Sequence, residues 1–177
     1  MSALRTVREI MIPIEEYPSV RDRASLREAV AIIENAQLEV ERRRSLPRVL
    51  LVFDEIRVLV GYLRRRDIMR GLAPRYLLNT PLDYPRKLFE VAIDPNLSEL
   101  SFDRLAESVR EQGERPVSDV MQPIETTLFA EDHVLKAVNE MVSLDLALIP
   151  VLDQGRVVGV IRSVDVFHEL ALLLNPE

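Results

Sequence analysis

Two apolar patterns alternate along the 177-residue chain, one at helical spacing and one made of short β-branched runs. Leu26, Ala29, Val30 and Ile33 form a helical stripe, and Val134, Ala137, Val138, Met141 and Val142 form another. Each predicts a helix that buries one face. Ser25 with Glu28 three residues on has the form of a capping box for the first helix, and Asp132 or His133 is placed to cap the second. After each helix come two strand-like runs, Val49–Phe53 with Val58–Leu63, and Ala147–Leu152 with Val157–Ile161. Asp153-Gln154-Gly155-Arg156 suits a hairpin turn, whereas Asp54-Glu55-Ile56-Arg57 lacks a glycine. A last helical stripe follows each pair, begun near Asp67 with Ile68, Met69 and Leu72, or near Asp165 with Val166, Phe167, Leu170, Ala171 and Leu174. Short extended stretches at Pro18–Val20 and Thr126–Phe129 precede the first helix of each set. The pattern is therefore α+β, a β-α-β-β-α unit read twice.

The order repeats because the sequence repeats. Val7-Arg8-Glu9-Ile10-Met11-Ile12-Pro13-Ile14 recurs as Val117-Ser118-Asp119-Val120-Met121-Gln122-Pro123-Ile124, an offset of 121 − 11 = 110. Leu59–Ile68 recurs as Val157–Val166, an offset of 165 − 67 = 98, so the first copy is about 12 residues longer in its middle. The extra residues fall around Gln37–Leu46, where Glu39, Glu41, Arg42, Arg43 and Arg44 would lengthen the first helix with a solvated, oppositely charged end. The division expected is a first unit over residues 1–72, a proline-containing connection over 73–116, and a second unit over 117–177. Within the connection Leu100, Leu105, Ala106 and Val109 predict a helix near 99–112 that Gly113 can stop. Phe89–Ile93 fits a short strand or part of a helix equally well.

Composition narrows the chemistry. There is no cysteine, which removes disulfides, thiolate-bound metal and cysteine nucleophiles, and suits a reducing cytoplasm. The longest apolar runs fall far short of the roughly 20 residues of a membrane span, and no signal-peptide core follows Arg5 and Arg8. A net charge of −6 disfavours general nucleic-acid binding, so Arg42–Arg44 and Arg64–Arg66 are not expected to contact DNA or RNA. Lys87 and Lys136 are the only lysines; the remaining cations are arginines, the better fork for phosphate or carboxylate, although compositional bias would give the same count. No glycine-rich phosphate loop can be written, and His133 and His168 stand in no metal-ligand spacing. His168 and Glu169 read as helix surface. No nucleophile has a supporting base, so an enzyme is not expected.

The twice-repeated Met-x-Pro segment, the β-α-β-β-α order, and the Gly-hydrophobic-hydrophobic-x-x-x-Asp stretch at Gly61–Asp67 and Gly159–Asp165 resemble the CBS domain family, the cystathionine-β-synthase-type module found as tandem pairs. The resemblance covers about residues 7–72 and 117–174. It implies two units packed face to face through their sheets, with pairs commonly dimerising into a flat disc. It further implies a regulatory module that binds an adenosine-containing ligand, such as AMP, ADP, ATP or S-adenosylmethionine, in clefts between the copies, and no other cofactor.

The same resemblance implies that Asp67 and Asp165 would accept hydrogen bonds from ribose hydroxyls, which the two oxygens of a carboxylate allow. An Asp in a first helical turn is also a plain cap, and both readings stand. Nucleotide-binding relatives usually carry Ser or Thr three residues earlier, where this chain has Arg64 and Arg162. Such a guanidinium could clamp a phosphate or pair with its own Asp and fill the cleft. An adenine wall would come from Ile12 and Val52 in one copy and Ile124 and Val151 in the other, with core packing as the plain alternative. The expectation is a cytoplasmic homodimeric sensor that signals to a separate effector protein. The alternative is a ligand-free dimerisation or protein-interaction module with Arg-filled clefts.

Overall fold

In the computed structural model, which describes residues 5–40, 42–74 and 102–175, the local signals form the elements they predict. Ser25 caps helix α2 (Leu26–Asn35): its Oγ accepts from Glu28 N at 3.2 Å, and the Glu28 carboxylate accepts from Ser25 N at 2.8 Å. Strands β5 (Val49–Phe53) and β6 (Leu59–Arg64) pair antiparallel, and β2 (Ser19–Arg21) joins β5 in parallel. The glycine-free turn between β5 and β6 is held by Asp54 Oδ1, which accepts from Ile56 N and Val58 N, and Arg57 takes a positive φ of 64°. Helix α3 (Arg65–Leu72) closes the first unit. The second repeats the plan with β7 (Leu128–Phe129), helix α5 (Val134–Leu144), β8 (Leu148–Asp153), β9 (Arg156–Arg162) and helix α6 (Ser163–Leu174). Between the units lies α4 (Phe102–Gln112), which packs on α3 and ends where Gly113 N donates to Val109 O. Leu100 and Phe89–Ile93 fall outside the described residues.

The α+β architecture of two units meeting through their sheets is confirmed. Each sheet buries both faces. On β5, Leu50 and Val52 point to helices α2 and α3, while Leu51 points to the other unit; all three are fully buried. Ile12, Tyr17, Leu38, Val49, Leu51, Tyr62, Leu148 and Val160 make the layer between the sheets.

The lead-in segments cross between units. Helix α1 (Val7–Ile10) and β1 (Ile12–Pro13) leave the first copy, and β1 pairs antiparallel with β9 of the second, Ile12 opposite Val160 and Pro13 opposite Gly159. Reciprocally, Gln122 bridges Tyr62 on β6 through bonds of 2.8 and 2.9 Å. The same backbone scheme ties each segment down: Val7 N and Arg8 N donate to Asp132 O and Ala130 O, and Val117 N and Ser118 N donate to Ala24 O and Asp22 O. Val7 and Ile10 therefore sit in the second unit's core and Val117 in the first's. At each crossing a glycine, Gly61 or Gly159, meets the incoming backbone so closely that no side chain fits.

Three expectations are corrected. The residues around Gln37–Leu46 do not extend α2, which ends at Asn35; they form a hairpin of β3 (Leu38–Val40) and β4 (Arg43–Ser45), turned at Arg42 with φ 64°. Leu38 and Val40, two apart and so on one strand face, pack into the layer between the units, and that burial overrides the helix propensity of the charged run. The buried stripes are also narrower than expected: Val134, Ala137 and Met141 face the core, while Val142, one position further round α5, is exposed. Met69, Phe167 and Leu174 are exposed for the same reason. Finally, Glu169 is not surface: it is buried, and its Oε1 accepts from Arg5 Nη1 at 2.8 Å.

Candidate ligand cleft between the two units

The repeat places Asp67 and Asp165 at equivalent points, in the first turn of the helix that follows the last strand of each unit. Both are taken by the arginine three residues earlier. Arg64 Nε and Nη2 donate to the two oxygens of Asp67 at 2.8 and 2.9 Å, Arg64 N donates at 3.0 Å, and Gln122 Nε2 adds a fourth bond at 3.1 Å. Asp67 has no exposed surface. Burial pushes its carboxyl up, but the hydrogen bonds from Arg64, the guanidinium charge and Gln122 together hold it below the usual carboxylate range. Arg162 Nε and Nη2 grip Asp165 in the same bidentate way at 2.7 and 2.8 Å, and Nη1 donates to Ser45 Oγ on the hairpin at 2.7 Å.

The two ends of the module differ in room. Beside Arg64 there is a recess of only about 50 Å³, lined by Val49, Tyr62 and Leu146 among others. The repeat explains the closure in part, since Gln122 stands where the other copy has Ile12, and its amide reaches Asp67. Around the Arg162–Asp165 pair the space is larger and divided. On the Asp165 side a cleft of about 210 Å³ runs along Met11, Ile12 and Pro13 and is acidic, lined also by Glu9, Glu16, Glu39, Glu169 and His168. On the Arg162 side a cavity of about 470 Å³ is lined by Tyr17, Ser45, Leu46, Arg48, Val49, Arg65, Ala147, Leu148, Arg162, Ser163 and Val164. Among the described residues no carboxylate lines it. Its size is within the roughly 300–1,000 Å³ of small-molecule sites.

That cavity is flanked by the first turns of α3 and α6, through Arg65 and through Ser163 and Val164, and each helix start is tied within its own unit by the same bond, Arg65 N donating to Arg48 O and Ser163 N to Ala147 O. Helix starts present partial positive charge, and here they add to three guanidinium groups. Arg65 Nε is buried with no hydrogen-bond partner among the described residues, a situation that costs about 1–3 kcal/mol. Tyr17 donates its hydroxyl to Val49 O at 2.8 Å, and burial raises its pKa, so it stays a neutral wall.

Of the residues singled out in the sequence, the structure brings Ile12 and Asp165 together on the acidic cleft and places Arg162 on the basic cavity. Ile124 packs half-buried against the layer between the sheets. Val52 and Val151 lie on the helix side of their sheets, fully buried in the two cores, where they serve as packing. Arg48, Arg65, Ser45 and Tyr17 were not singled out as ligand residues. Arg65 had a signal, since it aligns with Ser163 in the repeat beside the Arg–Asp motif; Ser45 had none, because its position depends on the hairpin. Among the described residues no group of three or more acidic or histidine side chains is placed to hold a metal, and no helix is long and apolar enough to cross a membrane.

A family model described as CBS domain matches residues 7–74 and again residues 117–172. Solved structures share the fold. A CBS domain-containing protein of unknown function from Kribbella flavida is 21% identical with a TM-score of 0.65, covering 98% of this chain and 100% of its own. The CBS-pair protein CBSX2 from Arabidopsis thaliana is 19% identical, with a TM-score of 0.63 over 98% of this chain and 99% of its own. A structure of CBSX2 in complex with AMP is 16% identical, with a TM-score of 0.60 over 96% of this chain and 98% of its own. No curated protein matches the chain.

Proposed function

This chain belongs to the CBS domain family, and on that basis we propose that it is a non-catalytic regulatory module whose ligand, of the adenosine-containing class, binds between the two units and whose output passes to a separate protein. One observation carries the reading: the cavity of about 470 Å³ lined by Arg48, Arg65 and Arg162 in a chain whose net charge is −6. A cationic pocket in an acidic protein selects an anion and orients it. CBSX2, which shares the fold, is known in complex with AMP. The cavity walls come from both units, so a ligand that favours one relative orientation of the units shifts the population toward it by its differential affinity. A homodimer in a cytoplasmic setting completes the reading. It is supported by the exposed Val164, Phe167 and Leu174, which share one face of α6, and light scattering of the purified protein tests it.

A thermal-shift series with AMP, ADP, ATP and S-adenosylmethionine tests the ligand. A compound present at 100 times its Kd stabilises by about 2.7 kcal/mol, which raises Tm by roughly 5–10 °C in a chain of this size. No shift with any of them at millimolar concentration would refute the reading. In that case the ligand-free interaction module stands, and the observation that favours it is the pairing of both Asp67 and Asp165 with their own arginines.

A further inference from the structure

Resting on the reading of this cavity as the ligand site, we propose that it recognises its ligand by the charge of a phosphate chain and not by a ribose diol, so that the ligand class is a polyphosphate, free or carried by a nucleoside. The argument starts from what the carboxylates can still accept. Asp67 takes four hydrogen bonds from Arg64 and Gln122 and is sealed from solvent, with a recess of only about 50 Å³ beside Arg64. Asp165 has both oxygens on Arg162, and the cleft in front of it carries four further carboxylates. At Asp67 a diol would have to replace charge-assisted bonds with neutral ones, an exchange that runs uphill, and a diol seated on Asp165 would draw its phosphates into the field of the four carboxylates of that cleft.

The arginines point to the opposite conclusion. Arg48 and Arg65 line the cavity of about 470 Å³ without an ion-pair partner among the described residues, so their charge there is not neutralised within the chain as described. Arg162 spends one donor on the neutral Ser45 hydroxyl, a bond that an anionic oxygen would outcompete. Three guanidiniums reach the cavity from three separate points of the chain, before β5, at the start of α3 and at the end of β9. Three arginines and no carboxylate among the described lining residues give the cavity a formal charge of +3, which a chain of linked phosphates balances more fully than a single phosphate does. Asp165 then becomes a competitor for Arg162, not a ligand contact.

Isothermal titration of the full chain with tripolyphosphate, ATP and adenosine separates the alternatives. Tripolyphosphate and ATP are expected to bind within about threefold of each other and adenosine not to bind. Arg65→Gln should weaken both by tenfold or more, and Arg65→Lys should recover part of the loss. Asp165→Asn, checked for folding by its melting curve, should leave binding intact or tighten it, because it releases Arg162. Raising the salt concentration should weaken binding, as screening of a charge-led site requires. Adenosine and ATP binding alike with no response to tripolyphosphate, or loss of ATP binding in Asp165→Asn, would overturn the proposal while leaving the ligand site itself standing. Silence from all three compounds would overturn the site and the proposal together.

Discussion

Gly159→Ala tests the crossing of the two units at its tightest point. A Cβ on Gly159 would stand 2.5 Å from the carbonyl oxygen of Ile12 and 2.9 Å from Met11 Sδ. Ordinary non-bonded contact begins near 3.5 Å, so β1 must retreat from β9 by roughly 1 Å. The thioether can swing away, but the carbonyl belongs to the backbone paired with β9 and cannot. Overpacking of this kind costs about 1–3 kcal/mol, and each ladder bond weakened by the retreat adds about 0.5–1.5 kcal/mol. A loss of about 2–4 kcal/mol follows, read as a lower urea midpoint with unchanged slope and a fall in Tm of at least about 4 °C. Met11→Ala in the same chain should not restore stability, since the backbone oxygen is the nearer obstacle. Gly155→Ala is the control: nothing lies within 4 Å of its Cβ, and its φ of 76° alone sets a cost of about 1–2 kcal/mol. If Gly159→Ala melts within about 1 °C of the parent protein, the close approach of β1 to β9 is not what holds the lead-in segment to the second unit.

Gly61→Ala should behave like Gly159→Ala, because its Cβ would lie 2.5 Å from the Gln122 carbonyl oxygen; the pair of variants measured by urea denaturation checks the symmetry. Because the Asp67 pKa is lower in the folded chain than the usual 3.8, its contribution is fully present above that value and is lost as pH falls through the lower, folded one. The stability difference between the parent and Asp67→Asn should therefore shrink below about pH 4 in acid titrations followed by circular dichroism, and a difference constant from pH 7 to pH 2 would contradict it. Ser45→Ala removes the acceptor of a buried Arg162 donor and should cost about 1–3 kcal/mol in chemical denaturation. Leu63→Ala, in the fully buried core beneath α2 and α3, should cost about 2–5 kcal/mol by the same assay.

Sequence alone determined what is local and what is repeated. Ser25 with Glu28 marks a helix start because a capping box satisfies backbone donors within four residues, and the unbroken apolar run of β5 suits a strand buried on both faces because side-chain direction has a period of two. The offset between Asp67 and Asp165 set two equivalent sites, and Arg64 and Arg162 declared the alternative of self-pairing that the structure contains. Tertiary structure decided the rest. Which sheet a lead-in segment joins is invisible locally: Val7 and Val117 are equally apolar, and only the meeting of the units puts each in the other copy's core. The run around Gln37–Leu46 reads as helix from propensity, yet Leu38 and Val40 gain more by burial between the sheets than the charged residues gain from helical pairing. The basic cavity depends on that same meeting, because Arg48 and Arg65 come from the first unit and Arg162 from the second, and no pattern along the chain encodes how two units pack.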